Sequence, residues 1–252
     1  MGKVGIMSKS ITVILNCYKR PEYLEEQIAA IKKQTVPPDN IWIWVNSTKE
    51  NRKTPFHSLG VDKIIKSDTN FKYHARFALG LLAQTEYVAY FDDDTIPGNK
   101  WFENCMNTME ETPGILGGAG VVLKSRAYYD HFRMGWPTQN EKTAPVDLVG
   151  HAWFLKREYL NYMWMETPYT LDNGEDIQLG YLAKKYGGIQ CYCPPHPADQ
   201  PELHSSLKPV EYGNDKKASS NGSLMSIPEF YKQRDQCVSH AIDNGWKTVL
   251  GV

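Results

Sequence analysis

The sequence predicts an α/β protein in which helices flank a central, mostly parallel sheet. Short apolar runs typical of buried strands alternate along the chain with segments of helical periodicity. Several of these runs end in polar side chains, as expected where the strands of an open sheet meet a ligand. A length of 252 residues suits one large domain or two small ones, and we find neither an internal repeat nor a clear linker.

The first half of the chain supplies four predicted strands, over residues 11–16, 41–46, 61–67 and 87–91. Pro21 can open a helix, and Leu24, Ile28 and Ile31 give that helix an apolar stripe. A second helix is expected over about residues 73–84. The first, second and fourth strands all end in polar residues, so the sequence predicts a site at the edge they share.

The second half of the chain is less regular. Its predicted elements are a helix over 101–111, a glycine-rich strand over 117–123, a strand over 147–155, a helical segment over 156–165, a helix after Gly174, a strand over 189–193 and a helix over 227–244. Residues 125–147 show no clean period and form either a flap over the site or an irregular connection. Residues 194–226 are rich in Pro, Ser, Asn and Lys, which predicts a mobile segment.

Composition narrows the classes of function. Lys and Arg number 28 against 29 Asp and Glu, so the chain lacks the basic excess of a broad nucleic-acid surface. Five cysteines, an odd number without a regular spacing, predict reduced thiols. No apolar run has the length of a signal peptide or a membrane span, so we expect no transmembrane segment and a cytoplasmic protein.

Three consecutive acids, Asp92, Asp93 and Asp94, follow the fourth predicted strand directly. Adjacent carboxylates repel one another and are costly to bury unpaired, so we place them at the edge of the sheet. Asp92 and Asp94 point to the same side at a period of two and could hold a hard cation through oxygen. The alternative is a polar turn, because the following residues 95–98 are also typical of turns.

Four motifs together resemble the nucleotide-sugar glycosyltransferases of the GT-A (Rossmann-like) fold. They are residues 13–21, Asn70 with Ala75 and Arg76, residues 91–94, and residues 174–176. The resemblance is greatest to the family-2-like inverting group, with a secondary similarity to exostosin-like transferases. It spans residues 11–186, and the order and spacing of the motifs carry it, since each motif is weak alone.

The resemblance implies a Mn²⁺ or Mg²⁺ ion held by Asp94, with Asp92 nearby, on the diphosphate of the donor. Asp92 and Asp93 could instead contact the ribose or the base. The nucleotide-binding residues that the resemblance implies are Asn16, Tyr18, Arg20, Asn46, Asn70, Arg76, Asp92, Asp93 and Lys208.

Three of these residues leave another interpretation open. Many relatives place an Asp where this chain has Asn46, which leaves the base open. Arg20 could pair with Glu22 or Glu25 at the surface. Arg76 could be a solvated helix charge.

Asp176 is the catalytic base that the resemblance implies, taking the proton of the acceptor hydroxyl. Acids in a first helical turn are also favoured by the helix dipole, and Glu175 fits that explanation better than Asp176. Asp172 is a nearby competitor for the role of base. The acceptor is expected beside Glu175, His151 and Trp153, although core packing explains a Trp equally well.

A late histidine in such enzymes often reaches the metal, and His204 is the better candidate here because hydroxyls and Lys208 follow it. His196, between two prolines, could be a loop residue only. Lys208, Lys216 and Lys217 could close over the diphosphate as a basic loop.

The resulting expectation is a single GT-A domain over residues 1–252. Residues 11–124 would bind the nucleotide sugar, residues 125–226 would carry the acceptor side with a mobile loop, and residues 227–252 would form a C-terminal helix. The reaction would move a sugar, with a UDP-sugar favoured as donor, to a hydroxyl of a glycan or glycoconjugate. It would proceed with inversion, by direct displacement with Asp176 as base.

Three other readings of the function stay open at this point. A retaining transferase of exostosin-like type is the first. A sugar nucleotidyltransferase is the second, but residues 17–21 lack the glycines of its phosphate loop. A non-catalytic sugar- or nucleotide-binding module is the third, and it would not need both Asp94 and Asp176. The sequence leaves the sugar, the acceptor, the linkage and the oligomeric state open.

Overall fold

The computed structural model describes residues 9–208 and 227–252. Lys216, Lys217 and most of the segment predicted to be mobile lie outside the described residues. Within the described ranges, no helix combines the length and the apolar character that crossing a membrane requires.

Nine strands and six α-helices form the described part of the chain. The strands are β1 Ile11–Cys17, β2 Asn40–Asn46, β3 Lys63–Ser67, β4 Tyr87–Phe91, β5 Ile115–Leu123, β6 His131–Gly135, β7 Ala144–Val146, β8 Leu148–Lys156 and β9 Cys191–Cys193. The helices are α1 Leu24–Lys32, α2 Ala75–Gly80, α3 Trp101–Glu111, α4 Leu160–Met163, α5 Glu175–Gly187 and α6 Ile227–Asp243. Strands and helices alternate as predicted around β1 and β4, whereas β5 to β8 follow one another without an intervening helix.

One sheet contains all the strands, in the order β3-β2-β1-β4-β8-β5-β9-β7, with β6 beside β5. The pairs among β1, β2, β3 and β4 are parallel, which confirms the doubly wound first half. Strand β8 instead runs antiparallel to both β4 and β5. As a result the beginning of β8 lies beside the end of β4, where the three acids stand.

Alternate side chains of the central strands enter two cores on opposite faces of the sheet. Val13 and Leu15 pack with helices α1 and α3 on one face. Ile14 points to the other face, against Phe77 of α2 and Leu160 of α4. A third cluster joins α5 to α6 through Ile177 and neighbouring apolar side chains. The sheet is therefore covered on both sides, and its carboxyl edge is left for polar residues.

Several predicted segments differ in detail from the structure, among them the helical segment expected over residues 156–165, whose α-helix spans only Leu160–Met163. The helix expected over residues 73–84 is shorter, spanning Ala75–Gly80. Residues 125–147 contain the short strands β6 and β7, which pair with β5 and β9. Strands this short carry too few residues for a visible alternation, which explains why no period is visible in these residues.

Candidate active site

Arg20, just after β1, lies against the acids that follow β4. Its Nε and Nη2 donate to Asp93 Oδ1 at 3.1 and 2.5 Å, and its Nη1 lies 3.1 Å from Asp94 Oδ2. The parallel pairing of β1 with β4 brings these two strand ends together. Arg20 is only 4% exposed, so it belongs to the interior of the site.

Arg76, in the first turn of α2, connects two acidic motifs that are far apart in sequence. Its Nη1 donates to Asp92 Oδ1 at 2.5 Å and its Nη2 to Glu175 Oε1 at 3.3 Å. The guanidinium carbon lies 4.5 Å from the centre of the Trp153 ring, a cation–π contact. Arg76 is 2% exposed, which excludes the interpretation of a solvated helix charge.

His151 is brought to the acids by the antiparallel register of β8. Phe91 pairs with Ala152, and the Asp92 N–H donates to the His151 carbonyl at 2.9 Å. The imidazole Nδ1 lies 3.7 Å from Asp92 Oδ2, and the ring packs on Trp136 with centroids 4.0 Å apart. His151 has a φ of 63°, an unusual value for a non-glycine residue.

Asp92, Asp94 and His151 form a group that could hold a metal ion. One ligand atom from each lies within 4.8 Å of the other two. Two carboxylate oxygens and one imidazole nitrogen suit Mn²⁺, and they also accept Mg²⁺. The chemistry of this donor set therefore fits the cation that the resemblance implies, with His151 as a ligand that the sequence had indicated only for the acceptor.

The charges around this group also favour a cation. Three guanidinium groups, of Arg20, Arg76 and Arg234, make ion pairs with five carboxylates. When all of these groups are ionised, the carboxylates outnumber the guanidinium groups by two, an excess that becomes smaller as Glu175 takes up a proton near pH 7. The five carboxylates belong to Asp92, Asp93, Asp94, Glu175 and Asp176.

Asp176 stands in the first turn of α5, on a turn that needs glycine. Gly174 has a φ of 77°, which glycine adopts without strain. Asp176 Oδ1 accepts from the Ile177 N–H at 2.8 Å, and Oδ2 accepts from Arg234 Nη2 at 2.7 Å. The carboxylate is therefore held in one orientation at the start of a helix that Arg76 connects to Asp92, directly after β4.

Two acids of the site hold their protons more tightly than usual. Burial raises the pKa of Asp93 to about 6, against the opposing charge of Arg20. Burial, with the neighbouring charge of Asp176, raises the pKa of Glu175 to about 7, although Arg76 opposes the shift. Burial lowers the pKa of His151, against the pull of Asp92 and Asp94. A neutral imidazole keeps the lone pair that a metal requires.

We expect Glu175→Gln to change how stability depends on pH. The folded-state pKa of Glu175 lies above its unfolded value of about 4.5, so the folded protein binds more protons and loses stability as pH rises from about 4.5 to 7. The glutamine variant lacks that loss, so its melting temperature relative to wild type should be higher at pH 8 than at pH 5. Melting curves in EDTA measure this difference.

The matched control for that prediction is Glu111→Gln, because Glu111 is exposed at the end of α3. Its melting temperature should follow that of the wild type across the same range. A Glu175→Gln difference that is constant between pH 5 and 8 would contradict the assignment of a raised pKa to Glu175.

Several residues predicted to bind the nucleotide line the ends of β1 and β2. Asn16 Oδ1 is buried without a hydrogen-bond partner among the described residues. The Asn46 side chain forms a hydrogen bond within the protein, because its Oδ1 accepts from the Phe71 N–H at 3.1 Å. Asn70 Oδ1 accepts from the Lys72 N–H at 2.8 Å. Their contacts with a nucleotide stay predictions.

Asn51 is a residue of this edge that the sequence did not indicate. Its Nδ2 donates to the carbonyls of Tyr18 and Asn46, both at 2.8 Å, and so joins the ends of β1 and β2. It is buried. A single polar residue in a loop gives no sequence signal for such a role, because nothing marks the carbonyls it will meet.

Neither late histidine belongs to the group of described residues that could hold a metal ion. His204 Nε2 donates to the Pro197 carbonyl at 2.6 Å, and His204 is not part of the group formed by Asp92 and its neighbours. Lys208 pairs with Glu26 of α1 at 2.8 Å. His196 is buried, with Nδ1 2.8 Å from the Pro194 carbonyl. The roles predicted for His204 and Lys208 stay untested.

Comparisons with known proteins bear on the family and the fold of the chain. The sequence model described as Glycosyl transferase family 2 matches residues 12–164. Among solved structures, the crystal structure of S. aureus TarS 1-349 is similar, with a TM-score of 0.53 and 17% sequence identity. The similarity covers 75% of this chain and 59% of that chain, and at this identity it concerns the fold alone. A search of curated proteins gives no match.

Proposed function

Because the chain belongs to glycosyl transferase family 2, we propose that it moves a sugar from a nucleoside-diphosphate sugar to a hydroxyl of a glycan or glycoconjugate acceptor. A UDP-sugar is the favoured donor. The family consists of glycosyl-transfer enzymes, and the mixed α/β architecture with a helix-flanked sheet is the GT-A fold. Transfer proceeds with inversion, by direct displacement.

One observation carries the proposal, the bridge that Arg76 makes between Asp92 and Glu175. It joins the acids suited to a metal and a diphosphate to the turn that bears Asp176. A transferase needs these two functions side by side, because the leaving group departs on one side of the reacting carbon and the acceptor attacks on the other. A non-catalytic binding module would not need the turn that bears Asp176.

Asp92, Asp94 and His151 would hold Mn²⁺ or Mg²⁺, and the bound ion would supply positive charge that stabilises a diphosphate leaving group. Asn16, Tyr18 and Arg20 surround the nucleotide at the ends of β1 and β2. These positions lie in the part of the chain, residues 11–124, that we assign to the donor.

Asp176 acts as the general base. The acceptor O–H bond breaks, its proton moves to a carboxylate oxygen of Asp176, and the freed electron pair forms the new bond to the anomeric carbon. The bond from that carbon to the diphosphate breaks, and its electrons leave with the diphosphate. The acceptor lies beside Glu175 and Asp176 in this proposal, because His151 is assigned to the metal and Trp153 is buried in the core.

A thermal-shift screen tests the donor and the metal together. UDP, GDP and their sugar conjugates are compared with and without Mn²⁺, since a ligand that binds the folded state raises the melting temperature by mass action. We expect UDP or a UDP-sugar to stabilise the protein only when Mn²⁺ is present. UMP serves as the matched control, because it lacks the diphosphate that a cation would bridge.

The absence of a shift with every diphosphate would overturn the proposal. Stabilisation by nucleoside triphosphates together with release of pyrophosphate would favour a nucleotidyltransferase instead. Once a donor is found, the anomeric configuration of the product, read by NMR, distinguishes inversion from retention.

A further inference from the structure

Helix α6 packs directly on the turn that carries Asp176. Both the helix and the turn lie outside residues 12–164, which match the family. Asn173 Nδ2 donates to the Phe230 carbonyl at 3.2 Å. A Cβ atom added to Gly174 would lie 2.6 Å from Cys237 Sγ, so the helix and the turn are in contact. The position of this turn therefore depends on α6 as well as on the sheet.

Arg234 is the residue of α6 that reaches the carboxylate itself. Its Nη2 donates to Asp176 Oδ2 at 2.7 Å, and its Nη1 donates to Asn173 Oδ1 at 3.1 Å. The guanidinium carbon lies 3.9 Å from the centre of the Tyr128 ring. Arg234 is 6% exposed, so its charge has little contact with water and acts mainly on these neighbours.

The backbone around this pair is also fixed. The Tyr128 N–H donates to Asp235 Oδ1 at 2.6 Å. This hydrogen bond connects α6, next to Arg234, to the segment that carries the Tyr128 ring. The guanidinium is thus held by an aromatic face and by two oxygen acceptors. A planar group with this many contacts has one orientation, and it gives one orientation to its partner carboxylate.

A cation is needed here because Glu175 and Asp176 are adjacent and both are buried. Arg76 pairs with Glu175, which leaves Asp176 to a second positive charge. We propose that Arg234 is the positioning residue of the base, holding the Asp176 carboxylate in the orientation that receives the acceptor proton. This inference rests on the proposed function, and it makes α6 part of the catalytic site.

The kinetic test compares Arg234→Met, Arg234→Lys and Lys232→Met, using the donor found by the screen. Lys232 is exposed on the same helix, so its Met variant is the matched control. We expect Arg234→Met to lower kcat by about 10–100-fold, as expected for a misaligned base. The KM for the donor should stay within about twofold of wild type, because Arg234 contacts none of the predicted nucleotide residues in the ion pairs described.

Arg234→Lys keeps the charge but loses the planar group, so it should recover part of kcat. Lys232→Met should behave as wild type. A wild-type kcat in Arg234→Met would overturn the inference, and so would a loss that appears in donor KM alone.

A second measurement does not depend on turnover. Melting temperatures are compared for Arg234→Met, Asp176→Asn and the double variant. Breaking a buried ion pair should lower the melting temperature by about 5 °C or more, and the same Arg234 change should have a clearly smaller effect when Asp176 is already Asn. Additive effects would show that Arg234 does not act through Asp176 and would overturn the inference.

The two measurements separate this inference from the proposed function. If no nucleotide sugar is consumed, the proposed transferase function is wrong. Non-additive melting temperatures of the single and double variants would still show that Arg234 and Asp176 interact. If sugar is transferred but the cycle is additive, the transferase stands and the role of Arg234 is wrong.

Discussion

Replacing Asp176 with Asn should lower kcat for sugar transfer by about 10²–10⁴-fold, the usual contribution of a general base. The asparagine side chain keeps the shape of the carboxylate and its hydrogen-bonding oxygen, but it cannot take a proton from the acceptor. Asp176 Oδ2 accepts from Arg234 and Oδ1 from the Ile177 N–H, so the amide fits the same space but keeps only one of these two hydrogen bonds. Initial rates with saturating donor measure the effect.

Donor binding separates a missing base from a misfolded site. The metal-dependent thermal shift with UDP should be nearly the same in Asp176→Asn and in wild type, because the ion pairs of Asp92 and Asp94 are unchanged. Asp172→Asn is the matched control, since Asp172 competes for the same role in sequence but pairs with Lys72. Full turnover in Asp176→Asn would remove Asp176 from the mechanism, and loss only in Asp172→Asn would move the role to that residue.

Much of the fold follows from the sequence because its signals are local. The apolar runs of β1, β2 and β4 are buried on both faces, and runs of this kind are readable without knowledge of their neighbours. The carboxyl edge of these three parallel strands also follows, since polar residues end each of them. Part of the candidate site follows in the same way, because Arg20, Asp92 and Asp94 lie close together at this edge.

The antiparallel half of the sheet is what the sequence does not reveal. Strand β8 looks like any buried strand, and only its direction brings His151 beside Asp92. The left-handed backbone of His151 is equally invisible, because histidine carries no signal for it comparable to that of glycine. The sequence therefore placed His151 at the acceptor, whereas the structure puts it among atoms that could bind a metal.

The ion pairs show the same limit at the level of side chains. Arg76 was compatible with a solvated position on α2, and its burial under two acids depends on Glu175, 99 residues further along the chain. Nothing in the sequence indicates a role for Arg234, because its partners Asp176 and Tyr128 come from separate segments of the chain. Buried arginines among acids are recognisable only once the elements are packed, since the energy of each pair depends on the desolvation that packing produces.

Asp94→Asn should remove the metal dependence of nucleotide binding. Asp94 is one of two carboxylates in the group with His151, and an amide oxygen is a weaker ligand than a charged carboxylate for a hard divalent ion. With UDP at 100 times its wild-type Kd, the stabilisation of about 2.7 kcal/mol expected from mass action should largely disappear. The measurement is the UDP-induced shift in melting temperature with Mn²⁺, compared with the shift in EDTA.

Asp93→Asn is the matched control, because Asp93 lies between the two candidate ligands in sequence but is bound by Arg20. It should keep a Mn²⁺-dependent shift, even if its affinity for UDP changes through Arg20. Equal UDP-induced shifts with Mn²⁺ and EDTA in the wild type would reject the metal site. A loss of Mn²⁺ dependence in Asp93→Asn but not in Asp94→Asn would assign the ion to Asp93 and leave Asp94 as the partner of Arg20 alone.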